Sequence, residues 1–218
     1  MQANKDKLKK VIIFTIAAIL VLLIATYVLT VVLEHLKGSS GGTNSVPQDS
    51  NLVFPPADYN ENIFDDEIYM TFNRGIKFTQ SGFGITLSEQ DLETYGVGAK
   101  LFFDYFGDVM NGRYEAYGDY FTDRYKKDVK LPERFTMQKV YDIDVQLFSR
   151  EVIDDSSKKY RETYEVRYKI RNNNGTLRND VESDTIKPIV FELIVDDQNK
   201  TADIDDIYPV VTIDVPDE

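Results

Sequence analysis

Proton transfer near neutral pH calls for an imidazole, or for a carboxyl group of raised pKa beside a donor such as tyrosine. The 218-residue chain offers a single histidine, His35, and no cysteine. Thiol nucleophiles, thiolate zinc sites, disulfides and a lipidated cysteine are therefore excluded. Carboxylates and tyrosines are abundant, and Asp104, Asp142, Asp144 and Tyr168 are the ones a pocket could enlist. Asp142 and Asp144, however, alternate with Ile143 and Val145, so the two sets lie on opposite faces of one strand and the carboxylates read as a solvated face. The run Asp196, Asp197, Asn199, Thr201, Asp203, Asp205 spaces oxygen ligands in the manner of a calcium loop. It fails at Ala202, where the sharp turn needs glycine, and at Tyr208, where a bidentate glutamate closes the shell; it reads as a polar hairpin turn. Ser81-Gly82-Phe83-Gly84 is too short for a phosphate cradle and lacks the following Lys-Ser/Thr. No catalytic residue, no cofactor and no metal ligand is assigned.

Fourteen Tyr and thirteen Phe invite a comparison with base-stacking surfaces, which charge rules out. The first ten residues hold four Lys and one Asp, and Glu34 cancels Lys37. The net charge of −12 for the whole chain thus leaves −15 on residues 38–218. Such a body has no electrostatic footprint for phosphate, so nucleic acid is not a partner. Its field favours basic partners or divalent ions as a long-range bias.

What must position any site begins with an anchor. From Val11 to Leu33 there are 23 residues without a charge, sixteen of them Val, Ile, Leu or Phe. At ~1.5 Å per residue this helix would run roughly 34 Å, enough for a hydrocarbon core of about 30 Å. The run is longer than a secretory h-region of ~7–15 residues and leaves through Val31-Val32-Leu33-Glu34 rather than a small-x-small site, which predicts an uncleaved anchor. Lys5, Lys7, Lys9 and Lys10 precede it, placing residues 1–10 in the cytoplasm, residues 11–33 in the lipid bilayer and the remainder outside. His35 then sits at the interface. Residues 34–62 read as a flexible juxtamembrane linker, rich in Gly, Ser and Asn over 38–45.

Residues 63–85 are expected to form a hairpin or extension, with Ile68, Met70 and Phe72 alternating before a turn at Asn73-Arg74-Gly75 and a return through Ile76-Lys77-Phe78. A helix capped by Ser88 follows, with Leu92, Tyr95, Ala99, Phe102, Phe103, Phe106, Val109 and Met110 on one broad aromatic face. A second helix is predicted from about Tyr114 to Lys127. The period then switches to two: Tyr141, Ile143, Val145, Leu147; Tyr164, Val166, Tyr168, Ile170; Ile189, Phe191, Leu193, Val195; and a last run through Ile204, Ile207, Val210, Val211, Ile213 and Val215. Two helices followed by at least four antiparallel strands predict an α+β extracytoplasmic domain over 86–218, a curved sheet wrapping a long helix.

This pattern resembles the nuclear-transport-factor-two-like (cystatin-like, cone-shaped) superfamily. The likeness is carried by the long aromatic first helix and by Asn111-Gly112-Arg113-Tyr114-Glu115-Ala116-Tyr117 leading to Tyr120-Phe121-Thr122-Asp123. A final hairpin, Thr201-Ala202-Asp203-Ile204-Asp205-Asp206-Ile207, is similar to one in bacterial members, although their tryptophan is absent here. A membrane helix, a tether and one such domain also resembles the layout of membrane-anchored assembly factors of type IV secretion and conjugation machines. The resemblance implies a non-catalytic module that binds other envelope proteins or itself. The competing implication is a cone-fold enzyme or small-ligand binder, with an apolar pocket between Phe102, Phe103 and Phe106 and the strands.

Overall fold

The structure, a computed structural model, describes residues 52–210, and the expected membrane segment 11–33 lies outside them. No helix among the described residues is long and apolar enough to cross a membrane. The described fold is α+β: a six-stranded sheet, one long helix and several short turns of helix.

The long helix, α1, spans Leu92–Asn111. Its cap is Asp91, three residues after the expected Ser88, because Ser88 donates from both its amide and its hydroxyl to Asp91 and so closes a turn before the helix begins. Ala99, Phe102, Phe106 and Val109 follow the helical repeat and are fully buried. Gly96 carries φ 84°, a kink that divides the first turn from the rest and that only glycine adopts cheaply. The helix ends at Gly112, whose φ of 65° lets the amides of Gly112 and Arg113 fold back onto Val109 and Asp108.

The predicted second helix is three short pieces: α2 over Tyr114–Tyr117, a 3-10 turn over Gly118–Tyr120, and α3 over Asp123–Asp128. Phe121 interrupts it by leaving the helical path for an extended conformation and bridging to Ile204. Thr122 then caps α3 by accepting from the amide of Tyr125.

The strands are β1 (Ile76–Gln80), β2 (Phe83–Thr86), β3 (Lys139–Asp154), β4 (Lys159–Arg171), β5 (Ile189–Asp196) and β6 (Thr201–Pro209), ordered β2-β1-β3-β4-β5-β6. The sheet is mixed rather than antiparallel throughout, since β1 runs parallel to β3 with Ile76 beside Ile143. The early hairpin is also displaced. Ile68 to Phe72 do not form a strand: Tyr69–Thr71 is a 3-10 turn, and β1 pairs with β2 instead. The alternation that suggested a strand there buries Tyr69 and leaves Ile68 and Met70 exposed.

A second departure lies in β3. Its register against β4 shifts between Tyr141 and Asp144, where Asp142 takes φ 52°. The bulge reverses the alternation, so Ile143 and Val145 join the main core while Tyr141 turns to the other face. There it packs with Ile63 and Tyr69 in a small second core roofed by the segment before β1. Residues at the end of the expected linker are part of this roof. Asn62 caps the 3-10 turn Ile63–Asp65, and Glu61 accepts from Lys139 Nζ at 2.6 Å.

Lys139 is the clasp of this roof, reaching Asp66 at 2.9 Å as well as Glu61, with its own side chain 8% exposed. Burial works against its charge, but its hydrogen bonds to the two carboxylates outweigh that cost and raise its pKa. The hydrogen bond from Lys139, with that from the Tyr69 amide, pulls Asp66 from an ordinary 3.8 down to about 2. A carboxyl group depressed on folding adds stability above its unfolded pKa and loses it as pH falls through the folded value. The melting-temperature gap between the native chain and Asp66→Asn is therefore expected to be constant near neutral pH and to close between about pH 5 and pH 1, followed by circular dichroism. A gap undiminished at about pH 1 would assign the effect to packing instead.

Candidate interaction site

Between the helix and the sheet the interior is filled by aromatic side chains. Phe102 lies with its ring 4.9 Å from Tyr164 and 5.5 Å from Phe191, and Phe106 packs 5.3 Å from Tyr168. Tyr105 and Tyr117 share a hydrogen bond of 3.1 Å between their hydroxyls. In the segment between β4 and β5, Arg178 forms a two-pronged pair with Asp180 and donates to the Tyr168 hydroxyl at 3.2 Å. Planar pairing of this kind fixes the loop that bears it.

One acid and phenol do point inward. Glu162, 4% exposed, accepts from the Tyr164 hydroxyl at 2.6 Å and faces Arg150 at 3.2 Å, while Arg150 is also held by Asp197. Burial raises the pKa of Glu162 and, with the carboxylate beside it, that of Tyr164. This pair was not singled out in the sequence. Its signal, a Glu two residues before a Tyr on the inward face of a strand, is common to any alternating strand with one polar lapse. Gly98 seals it: a methyl group placed there would overlap the Tyr164 hydroxyl and lie 2.8 Å from Glu162 Oε2. The carboxylate and hydroxyl are thus packed directly against the helix backbone.

The four residues weighed for acid–base work do not meet. Asp104 sits on the outer side of α1, paired with Lys100. Asp142 pairs with Lys169 at 3.0 Å and Asp144 with Lys77 at 2.9 Å, both on the solvated face as expected. Tyr168 alone is in the core, 5% exposed. Asp196 serves the β5–β6 turn, its carboxylate accepting from the amides of Gln198 and Asn199.

The concavity worth weighing lies on the opposite side of α1 from the sheet. Glu89, Phe103, Asp104, Gly107, Asp108, Arg113 and Tyr120 line a groove of about 390 Å³. Phe103 therefore does not share the inward face with Phe102 and Phe106. It is half-buried, packing against the edge of the main core on one side and lining the groove on the other, since a helix repeat of 3.6 carries neighbouring positions about 100° apart. Asp108 is held at the back of the groove by Arg113 Nη1 at 2.8 Å and the Tyr120 hydroxyl at 2.7 Å. Burial and the adjacent Asp108 carboxylate raise the pKa of Tyr120, keeping it a neutral donor. An open groove with carboxylates at its rim and an aromatic ring in its wall can receive a cationic side chain.

Comparison of the chain with protein families, with curated proteins and with solved structures found no match in any of the three.

Proposed function

We propose that this chain is a single-pass, membrane-anchored module of a bacterial cell envelope, non-catalytic, whose extracytoplasmic domain binds other envelope proteins or itself. The observation that carries the reading is the uncharged 23-residue run Val11 to Leu33 with four lysines before it and one closely after. The helix-on-sheet domain, with its bulged long strands, fits the resemblance to the nuclear-transport-factor-two-like superfamily and, in layout, to anchored assembly factors of secretion and conjugation machines. An interior occupied by Phe102, Tyr105, Phe106 and Phe191 favours a surface over a pocket as the working part. Confinement to a thin layer beside the bilayer would raise the effective concentration toward membrane partners to about millimolar. The competing reading, a cone-fold enzyme or small-ligand binder, has the Glu162–Tyr164 pair in its favour and the closure over Gly98 against it.

Fractionation tests the proposal. The full chain is expected to remain with membranes after alkaline carbonate, a chain lacking residues 1–37 to become wholly soluble, and protease applied outside spheroplasts to digest the carboxyl portion. A soluble full chain trimmed at its front, or a protected carboxyl portion, overturns it.

A further inference from the structure

We infer that the outer groove of α1 is a docking site for a basic segment of a partner protein, with a Lys or Arg side chain entering between Glu89 and Asp104 over the ring of Phe103. The inference rests on the module reading above and adds the chemistry of the partner.

Three observations carry it. The first is an unexplained glycine. Glycine inside a helix is destabilising, and the interior glycines of α1 each need a reason. Gly96 has its positive φ, and Gly98 has the close approach of Tyr164 and Glu162. Gly107 has neither: its conformation is helical and a methyl group there would meet nothing within 4 Å. Its missing side chain creates room on the wall of the groove and nowhere else. The open space at this position leaves room for the close approach of a group from outside the chain.

The second is charge. Glu89 has no ion-pair partner among the described residues, whereas Asp104 is met by Lys100 at the rim and Asp108 by Arg113. With three carboxylates against those two cations the groove keeps a negative balance, on a body that carries −15 over residues 38–218. The third is the wall. A cation above a phenylalanine ring is attracted by its face, and the aliphatic stem of Lys or Arg covers the same surface. The Tyr120–Asp108–Arg113 bonds hold the back of the groove in shape without using Glu89 or the face of Phe103.

The test uses the full-length chain in detergent micelles at 0.15 M salt, titrated with a fluorescein-labelled octapeptide alternating Lys and Ala, and with a control alternating Glu and Ala, by fluorescence anisotropy. The Lys peptide is expected to bind saturably and the Glu peptide not at all. Gly107→Leu is expected to fill the groove and weaken binding at least tenfold while leaving Tm unchanged or higher, because it replaces a helix-interior glycine in open space. Glu89→Gln should weaken binding severalfold with no change in Tm. Undiminished binding by Gly107→Leu marks diffuse attraction to an acidic surface and overturns the inference, as does equal binding of the two peptides. Cross-linking of the full chain in its native membranes separates the two readings. Partners retained by Gly107→Leu refute the groove and leave the module standing, whereas an absence of any cross-linked protein with the native chain refutes the module itself.

Discussion

Gly98→Ala is expected to lower stability by about 3 kcal/mol, a fall in Tm of roughly 6–12 °C for a domain of this size. On propensity alone the change should help, since alanine in a helix interior is worth up to about 1 kcal/mol over glycine. Packing reverses the sign. The added methyl would overlap the hydroxyl of Tyr164, lie 2.8 Å from Glu162 Oε2 and 3.2 Å from the Tyr164 ring. Tyr164 is 2% exposed and held between Phe78 and Phe102, so it has nowhere to retreat. Either α1 moves off the sheet or the Tyr164–Glu162 hydrogen bond breaks, leaving a buried carboxylate short of a donor. A double-mutant cycle distinguishes this from a generic helix effect. Tyr164→Phe removes the overlapping oxygen, so Gly98→Ala combined with Tyr164→Phe should cost less than the two single changes added together, by about 1 kcal/mol or more. Strict additivity in chemical denaturation would show that the glycine is required for some other reason.

That contact also marks where sequence reading reaches its limit. The face Ala99, Phe102, Phe106, Val109 and the strand faces Tyr164 to Ile170 and Ile189 to Val195 were legible because each obeys one period from end to end, and burial follows the period. Glycines at 96, 98 and 107 looked alike in the chain, yet one supplies a backbone angle, one admits a tyrosine from another strand and one faces open space. Only three-dimensional proximity sorts them. Tyr141 was misassigned because a single bulged residue, Asp142, inverts everything before it relative to everything after it, and an inversion leaves the alternating pattern intact. The strand expected at Ile68 to Phe72 failed for a different reason. Asp66 accepts from the amides of Ile68 and Tyr69, a local side-chain turn that competes with extension and is fixed by Lys139 seventy-odd residues away. The parallel pairing of β1 with β3 was equally out of reach, since nothing in either segment encodes the direction of its neighbour. The outer groove was invisible in the same way: Glu89, Asp104 and Arg113 are ordinary surface charges until α1 and the following short helices bring them around Gly107.

The adjacent pair Phe102 and Phe103 turns this division of α1 into a measurable contrast. Both were read as one aromatic face, but Phe102 is fully buried with its ring against Tyr164 and Phe191, whereas Phe103 lines the groove and is half-buried. Phe102→Ala removes a core ring at the crossing of α1 with β4 and β5, and the flanking rings belong to strands locked in a ladder that cannot collapse onto the gap. The loss is expected to be about 4 kcal/mol, from transfer of the ring and the cavity it leaves. Phe103→Ala loses a half-buried ring that packs against the core on one side only and borders open groove on the other, and a smaller loss of about 1–2 kcal/mol is expected. Guanidinium denaturation reads both, and the slope should be the same for the two variants if each leaves the unfolded state unchanged. Binding of the Lys–Ala peptide should rank them in the opposite order, with Phe103→Ala severalfold weaker at a temperature where both remain folded and Phe102→Ala near native. If the two variants lose stability equally, the groove is part of the core and no free wall exists there. If they lose stability unequally but bind alike, α1 has one structural side and an idle one, and the glycine at 107 is left without a use.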